Sequence, residues 1–223
     1  MKDKVPVTCP HCGHPQLEPA QAYSTVCRGC RRHFLVQEAL HPVAPPLEPP
    51  RELKRFACFT CGGLLEAPVA AQSTMCKHCG SHVDLHDYRV ANAVPRNFKT
   101  KGRLVIEETG FLFNTESVAG EVILKGRLLG RLTAERSLEI HHSAEIKGSF
   151  KTDRLIISAG SIFRWPEVIA VGGADIAGEL VANLNAEGKV VLKSTARYFG
   201  QLRAGDLVVE SGAVWVGTAK VGS

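Results

Sequence analysis

The stretch KVVLKSTARYFGQLRAGDLVVESGAVWVG (189–217) says the same thing twice: KVVLKSTARYFG begins at Lys189, and DLVVESGAVWVG begins 17 residues later at Asp206. Each phrase splits into six-residue units, KVVLKS, TARYFG, DLVVES and GAVWVG. Working outward, the same unit recurs as SLEIHH (137–142), SAEIKG (143–148), RLIISA (154–159), GSIFRW (160–165), EVIAVG (167–172) and GADIAG (173–178). Its second and fourth positions are apolar or small, as in Leu138/Ile140, Ala144/Ile146, Leu155/Ile157, Val168/Ala170, Val190/Leu192 and Leu207/Val209. That is the period of short strands with one buried face. Equivalent blocks start at Arg103, Gly120, Ser137 and Arg154, each 17 residues after the last. A fixed period of this kind denotes one rung of a stacked solenoid, which buries its apolar face only against its neighbours.

Three units per rung imply a triangular coil with three short strands, and about six to seven rungs fit between Arg103 and Val221. Stacking places equivalent residues about 4.8 Å apart, so Ile106, Ile123, Ile140 and Ile157 are expected to form an aliphatic ladder. Small residues at Gly110, Ala144, Ser161, Ala174, Ala196 and Ala213 suit inward corners. NLNAEG (183–188) reads as a loop bulging from one corner, and Pro166 suits another, where its missing N–H breaks no ladder.

The eight cysteines all precede residue 80 and form four CxxC pairs. A shift of 49 residues carries Cys9, Cys12, Gly13, Ser24, Thr25, Cys27, Cys30 and His33 onto Cys58, Cys61, Gly62, Ser73, Thr74, Cys76, Cys79 and His82. The shared residues that are not Cys make this an internal duplication. Thiol pairs without an export signal favour metal over disulfides. Two thiolates from one tight turn and two from another close a tetrahedron around one ion. We expect two structural zinc ions, one held by Cys9, Cys12, Cys27 and Cys30, the other by Cys58, Cys61, Cys76 and Cys79. A segment of about 30 residues has too small a core to fold alone, and zinc supplies the missing stability. Cross-bracing between modules, or iron in place of zinc, are the alternatives at this stage. Four Cys ligands fill the coordination sphere, which excludes catalytic zinc.

The expected organisation is a first zinc ribbon (1–40), a Pro-rich linker (41–53), a second ribbon (54–88), a connecting arm (89–102) and the solenoid (103–223). The linker, HPVAPPLEPPRE (41–52), holds five prolines and suits a polyproline-type spacer. Residues 1–101 carry 13 Lys/Arg against 8 Asp/Glu, whereas 102–223 carry 14 of each. Arg28, Arg31 and Arg32 crowd the second knuckle of module one, with Lys77 in the second module. They are candidate nucleic-acid contacts; a solvated face on a protein-binding module is the competing reading. With no run of apolar residues long enough for a transmembrane helix or a signal peptide, a cytoplasmic location is expected, any membrane association being made through partners.

The hexad run, GEVILKGRLLGRLTAERSLEI (120–140), GADIAGELVA (173–182) and KVVLKSTARYFGQLRAGDLVVESGAVWVG together make residues 103–223 resemble the bactofilins. That resemblance implies an all-β, right-handed triangular β-helix that polymerises end to end without nucleotide into non-polar filaments. It also implies a scaffold that localises partner proteins. Family members typically carry short tails, some with a membrane-targeting N-terminus; two ribbons stand there in this chain. A solenoid needs caps at both ends. None is legible after TAKVGS, so Val214, Trp215 and Val216 at one end, and Phe111 and Phe113 near the other, are the expected polymer interfaces, the partner being another copy of the chain. The ribbons would recruit a protein partner. Enzymatic alternatives find little support. His141–His142 lacks the steady phrase of left-handed hexapeptide acyltransferases, and Asp153, Asp175 and Asp206 do not recur in register as in pectin-degrading helices.

Overall fold

The computed structural model describes residues 3–40 and 52–222. Residues 41–51, most of the expected Pro-rich linker (41–53), lie outside the described residues. The chain divides into two compact units, 1–51 and 52–223.

The first unit is a pair of antiparallel hairpins, β1 (Lys4–Thr8) with β2 (Pro15–Pro19) and β3 (Ser24–Val26) with β4 (His33–Leu35), followed by the short helix α1 (Val36–Leu40). The second unit opens with the same two hairpins, β5 (Leu53–Ala57) with β6 (Leu64–Pro68) and β7 (Ser73–Met75) with β8 (His82–Asp84). All four strands superpose at the 49-residue shift legible in the cysteines. Each module buries a handful of side chains: Val7, Phe34 and Val36 in the first, Phe56, Leu65, Val83 and Leu85 in the second. So thin a core leaves stability to the cysteine sites.

The rest of the second unit is a parallel stack whose strands are β9 (Tyr88–Val90), β10 (Ala93–Val94), β11 (Arg103–Ile106), β12 (Phe111–Leu124), β13 (Arg127–Ile140), β14 (Glu145–Ile157), β15 (Ile162–Val171), β16 (Gly173–Ile176), β17 (Glu179–Ala186), β18 (Lys189–Leu192), β19 (Arg197–Ala204), β20 (Asp206–Val209) and β21 (Val214–Val221). Successive turns pair in parallel along three sides. On side one, Leu104, Val122, Leu138, Leu155, Ala174 and Val190 form one inward column, and Ile106, Leu124, Ile140, Ile157, Ile176 and Leu192 form the next. Burying each such side chain contributes roughly 1.5–3 kcal/mol.

There are about eight turns rather than six to seven. The additional turn is the segment before Arg103, where β9 pairs with β11, β10 with β12, and Lys99 bridges Val118. Its weak alternation hides it in the sequence. Three further expectations are corrected by register. The aliphatic ladder passes through Leu124, not Ile123, because Gly120 inserts one residue and flips the faces after it. Val168 and Ala170 point outward while Ile169 and Val171 are buried, because the fifth turn takes up two extra residues near Pro166. NLNAEG is not a loop: residues 183–186 finish β17, with Leu184 and Ala186 inside.

One corner, between sides two and three, explains several glycines. Gly148 has φ of 133°, and a Cβ there would lie 2.0 Å from the Gly130 carbonyl oxygen. Only Gly permits that approach. The neutrality of the solenoid also has a geometric basis, because its charges pair between turns. Arg103 meets Glu121 at 3.0 Å, Arg89 meets Glu107 at 3.2 Å, Lys193 meets Glu210 at 3.0 Å, and Arg154 meets Asp175. Exposed pairs of this kind contribute little stability each, but they oppose slippage of one turn against the next.

Candidate metal centres and assembly faces

Each cysteine module places one CxxC on each of its two hairpins. Cys9 and Cys12 sit between β1 and β2, and Cys27 and Cys30 between β3 and β4. Their sulfurs all lie within 4.8 Å of one another, as do those of Cys58, Cys61, Cys76 and Cys79. The geometry thus makes two self-contained sets and no cross-braced one. Sulfur separations are 3.8 Å for Cys9–Cys30, 3.5 Å for Cys12–Cys27, 3.8 Å for Cys58–Cys79 and 3.6 Å for Cys61–Cys76. A tetrahedron with metal–sulfur bonds of about 2.3 Å has edges of about 3.8 Å, so both sets fit a tetrahedral ion.

Backbone amides turn toward the sulfurs. His11 N donates to Cys9 Sγ at 3.4 Å, Gly29 N to Cys27 Sγ at 3.3 Å, and Thr60 N to Cys58 Sγ at 3.4 Å. The Cys30 amide leads in drawing Cys27 down to about 6, and the Cys61 amide leads in drawing Cys58 down to about 6. For Cys12 the His14 amide pulls downward, but the Cys27 sulfur, burial and the remaining thiols push it up to about 12. Cys61 is likewise driven up to about 12 by its sulfur neighbours and burial, against the Gly63 amide. Four sulfurs this close cannot all ionise without a cation among them, so metal binding and thiol deprotonation are one event.

Sequence reasoning missed Gln16. Buried in the first module, it donates through Nε2 to Glu18 at 2.9 Å and accepts the Arg28 amide at 3.0 Å, tying the hairpins together. A polar residue at the register position of Leu65 was the available signal. Arg28, Arg31 and Arg32 are exposed on the second knuckle, and so is Lys77 in the other module.

The residues expected at polymer interfaces fall in different places. Val214 and Val216 are exposed and Trp215 half-buried on β21, in the last described turn. Phe111 and Phe113 are not on an end turn. They point out of side two in the second turn, their rings 5.1 Å apart, with the Arg127 guanidinium 4.6 Å over Phe111. Phe59, in the first knuckle of the second module, takes Lys101 Nζ over its ring at 3.9 Å, and that ammonium also meets Glu135 at 2.6 Å. His141 is engaged with Glu139 at 2.9 Å and His142 is exposed.

Fold and sites together define a three-sided parallel β-solenoid carrying ribbon modules with four cysteines each. The family model for bactofilin, described as polymer-forming cytoskeletal, matches residues 74–164. The chain therefore carries a bactofilin domain and belongs with that family. The match starts inside the second ribbon and stops within β15, while the solenoid goes on for three more turns. No curated protein and no solved structure matches the chain. Among the described residues no helix is long and apolar enough to cross a membrane.

Proposed function

We propose that this protein is a filament-forming scaffold, not an enzyme, whose solenoids stack end to end without nucleotide and whose zinc-loaded ribbons recruit a protein partner. The observation that carries it is the last described turn. The outer edges of β20 and β21 pair with no other strand among the described residues, and Val208, Val209, Val214, Val216 and Val221 are exposed along them. A strand edge of this length, lined with valine and free of proline, is a template for another copy. A domain whose family is described as polymer-forming suits that reading. Trp215 supplies the apolar anchor at this interface, flanked by Val214 and Val216. Such an assembly belongs in the cytoplasm, with any membrane association made through partners. Electron microscopy of the purified full chain without ATP or GTP tests this. Filaments are expected, and Trp215→Glu should abolish them; monomers at all salt and protein concentrations would overturn the proposal.

Zinc is the proposed ion, because four thiolates at tetrahedral spacing suit it best. Elemental analysis should find two equivalents per chain. A second reading makes nucleic acid the ribbon partner. It is favoured by the exposed Arg28, Arg31 and Arg32 in module one, with Lys77 exposed in module two. Binding that weakens steeply with salt and is lost in Arg31→Ser/Arg32→Ser would support it. No binding at low salt would remove it.

A further inference from the structure

The two ends of the solenoid are unlike. At the β20–β21 end the inward columns finish on open side chains, with Val209 and Val221 each 48% exposed. At the other end the column that finishes on Val90 is 2% exposed, and Phe98 is 6% exposed. These residues belong to the first turn, so something other than a preceding turn covers them.

The cover is built from named parts. The Tyr88 and Phe98 rings pack with centroids 5.1 Å apart, and the Arg96 guanidinium lies over both, at 5.7 and 5.2 Å. The Tyr88 hydroxyl donates to the Asp84 carboxylate at 2.6 Å, which also accepts the His86 amide at 2.8 Å. Asp84 closes β8 of the second ribbon, so the ribbon enters the stack directly. Lys101 N donates to the Asp84 carbonyl at 2.8 Å, and Thr100 Oγ1 to the His86 carbonyl at 2.7 Å. Phe59, next to Cys58, holds Lys101 from the ribbon side. The strand edges here are also unsuited to pairing. β9 has three residues and β10 two, Pro95 follows β10, and Arg89 and Arg96 flank them. Short strands, proline and charge are the features that keep a sheet edge from recruiting another.

We infer that the second ribbon, with Tyr88, Arg96 and Phe98, forms a cap that closes the N-terminal end of the solenoid, and that joining two copies through that end requires the cap to open. This rests on the end-to-end reading above and adds an order to it. Copies pair first through their β20–β21 ends, and elongation waits on the cap, which metal at Cys58, Cys61, Cys76 and Cys79 keeps folded.

Analytical ultracentrifugation with electron microscopy, on the zinc-loaded full chain, tests it. The wild type should accumulate as dimers over a wide concentration range before filaments appear. Arg96→Ser, which leaves all cysteines in place, should lower the filament threshold by about tenfold, a shift of about 1.4 kcal/mol per joint. Cys58→Ser/Cys61→Ser should lower it further. Thresholds unchanged in both variants, or a wild type that passes from monomer to long filaments without a dimer plateau, would overturn the cap while leaving end-to-end assembly standing. Monomers throughout, in wild type and variants alike, would sink both.

Discussion

Arg31 has φ of 60°, where its counterpart in the second module, Gly80, has φ of 69°. The knuckle needs a left-handed residue there, and a side chain in that conformation costs about 1 kcal/mol. Arg31→Gly should therefore raise the stability of the first module by about that amount, read as a higher midpoint in denaturant followed at residues 3–40. A charge kept at an energetic cost is also why Arg31 heads the nucleic-acid test. Inside the solenoid Tyr198 is fully buried, its hydroxyl donating toward the Ala182 and Gln201 carbonyls at 2.9 and 2.8 Å, and burial pushes its pKa up to about 12. Tyr198→Phe should cost about 1–3 kcal/mol, because buried carbonyls lose their donor; equilibrium unfolding checks it. At the cap, burial works to raise Asp84, but the Tyr88 hydroxyl and the His86 amide and ring together hold it below its ordinary 3.8. A carboxyl lowered on folding stabilises above that value and loses its contribution as pH falls through the lower, folded value. Amide exchange in residues 88–102 should therefore quicken in acid, below the ordinary 3.8, and Asp84→Asn should remove much of that dependence.

Among elements, register is the quantity that matters. β12 carries Leu124 inside and Ile123 at the surface, one residue apart. Leu124→Ala should cost about 2–5 kcal/mol, the range for an emptied core site, and Ile123→Ala well under half as much. Equal losses measured by chemical denaturation would mean the register is wrong. Gly120 explains the slip: one residue added between sides reverses which face of the following strand is inward. Pro166 plays a parallel role on β15, where the extra residues of the fifth turn are taken up at a corner so that the turns on either side keep their pairing.

For the whole molecule, the ribbons and the solenoid draw stability from different sources, one from metal and one from stacked apolar columns. Chelation should unfold both cysteine modules while the solenoid keeps its strand signal in circular dichroism. Loss of both together would show that the stack depends on metal throughout. The first turn is the exception, because Phe59, Asp84 and Lys101 join it to the second ribbon. Exchange protection should fall there, and only there, when metal is removed.

The sequence by itself determined the architecture. Alternating apolar positions at a fixed period dictate strands that can be buried only by stacking, and paired CxxC turns repeated 49 residues apart dictate two separate metal-binding modules. It did not determine phase. Gly120 and the residues around Pro166 each shift which side chains face inward, and a pattern of period two reads equally well one residue over. Nor did it reveal the first turn, whose strands are too short to alternate, or the cap, whose members Phe59, Asp84, Tyr88, Arg96 and Phe98 are spread over some forty residues. Those contacts exist because the second ribbon feeds its last strand into the stack at one corner, and only the tertiary structure decides which side chains that brings together.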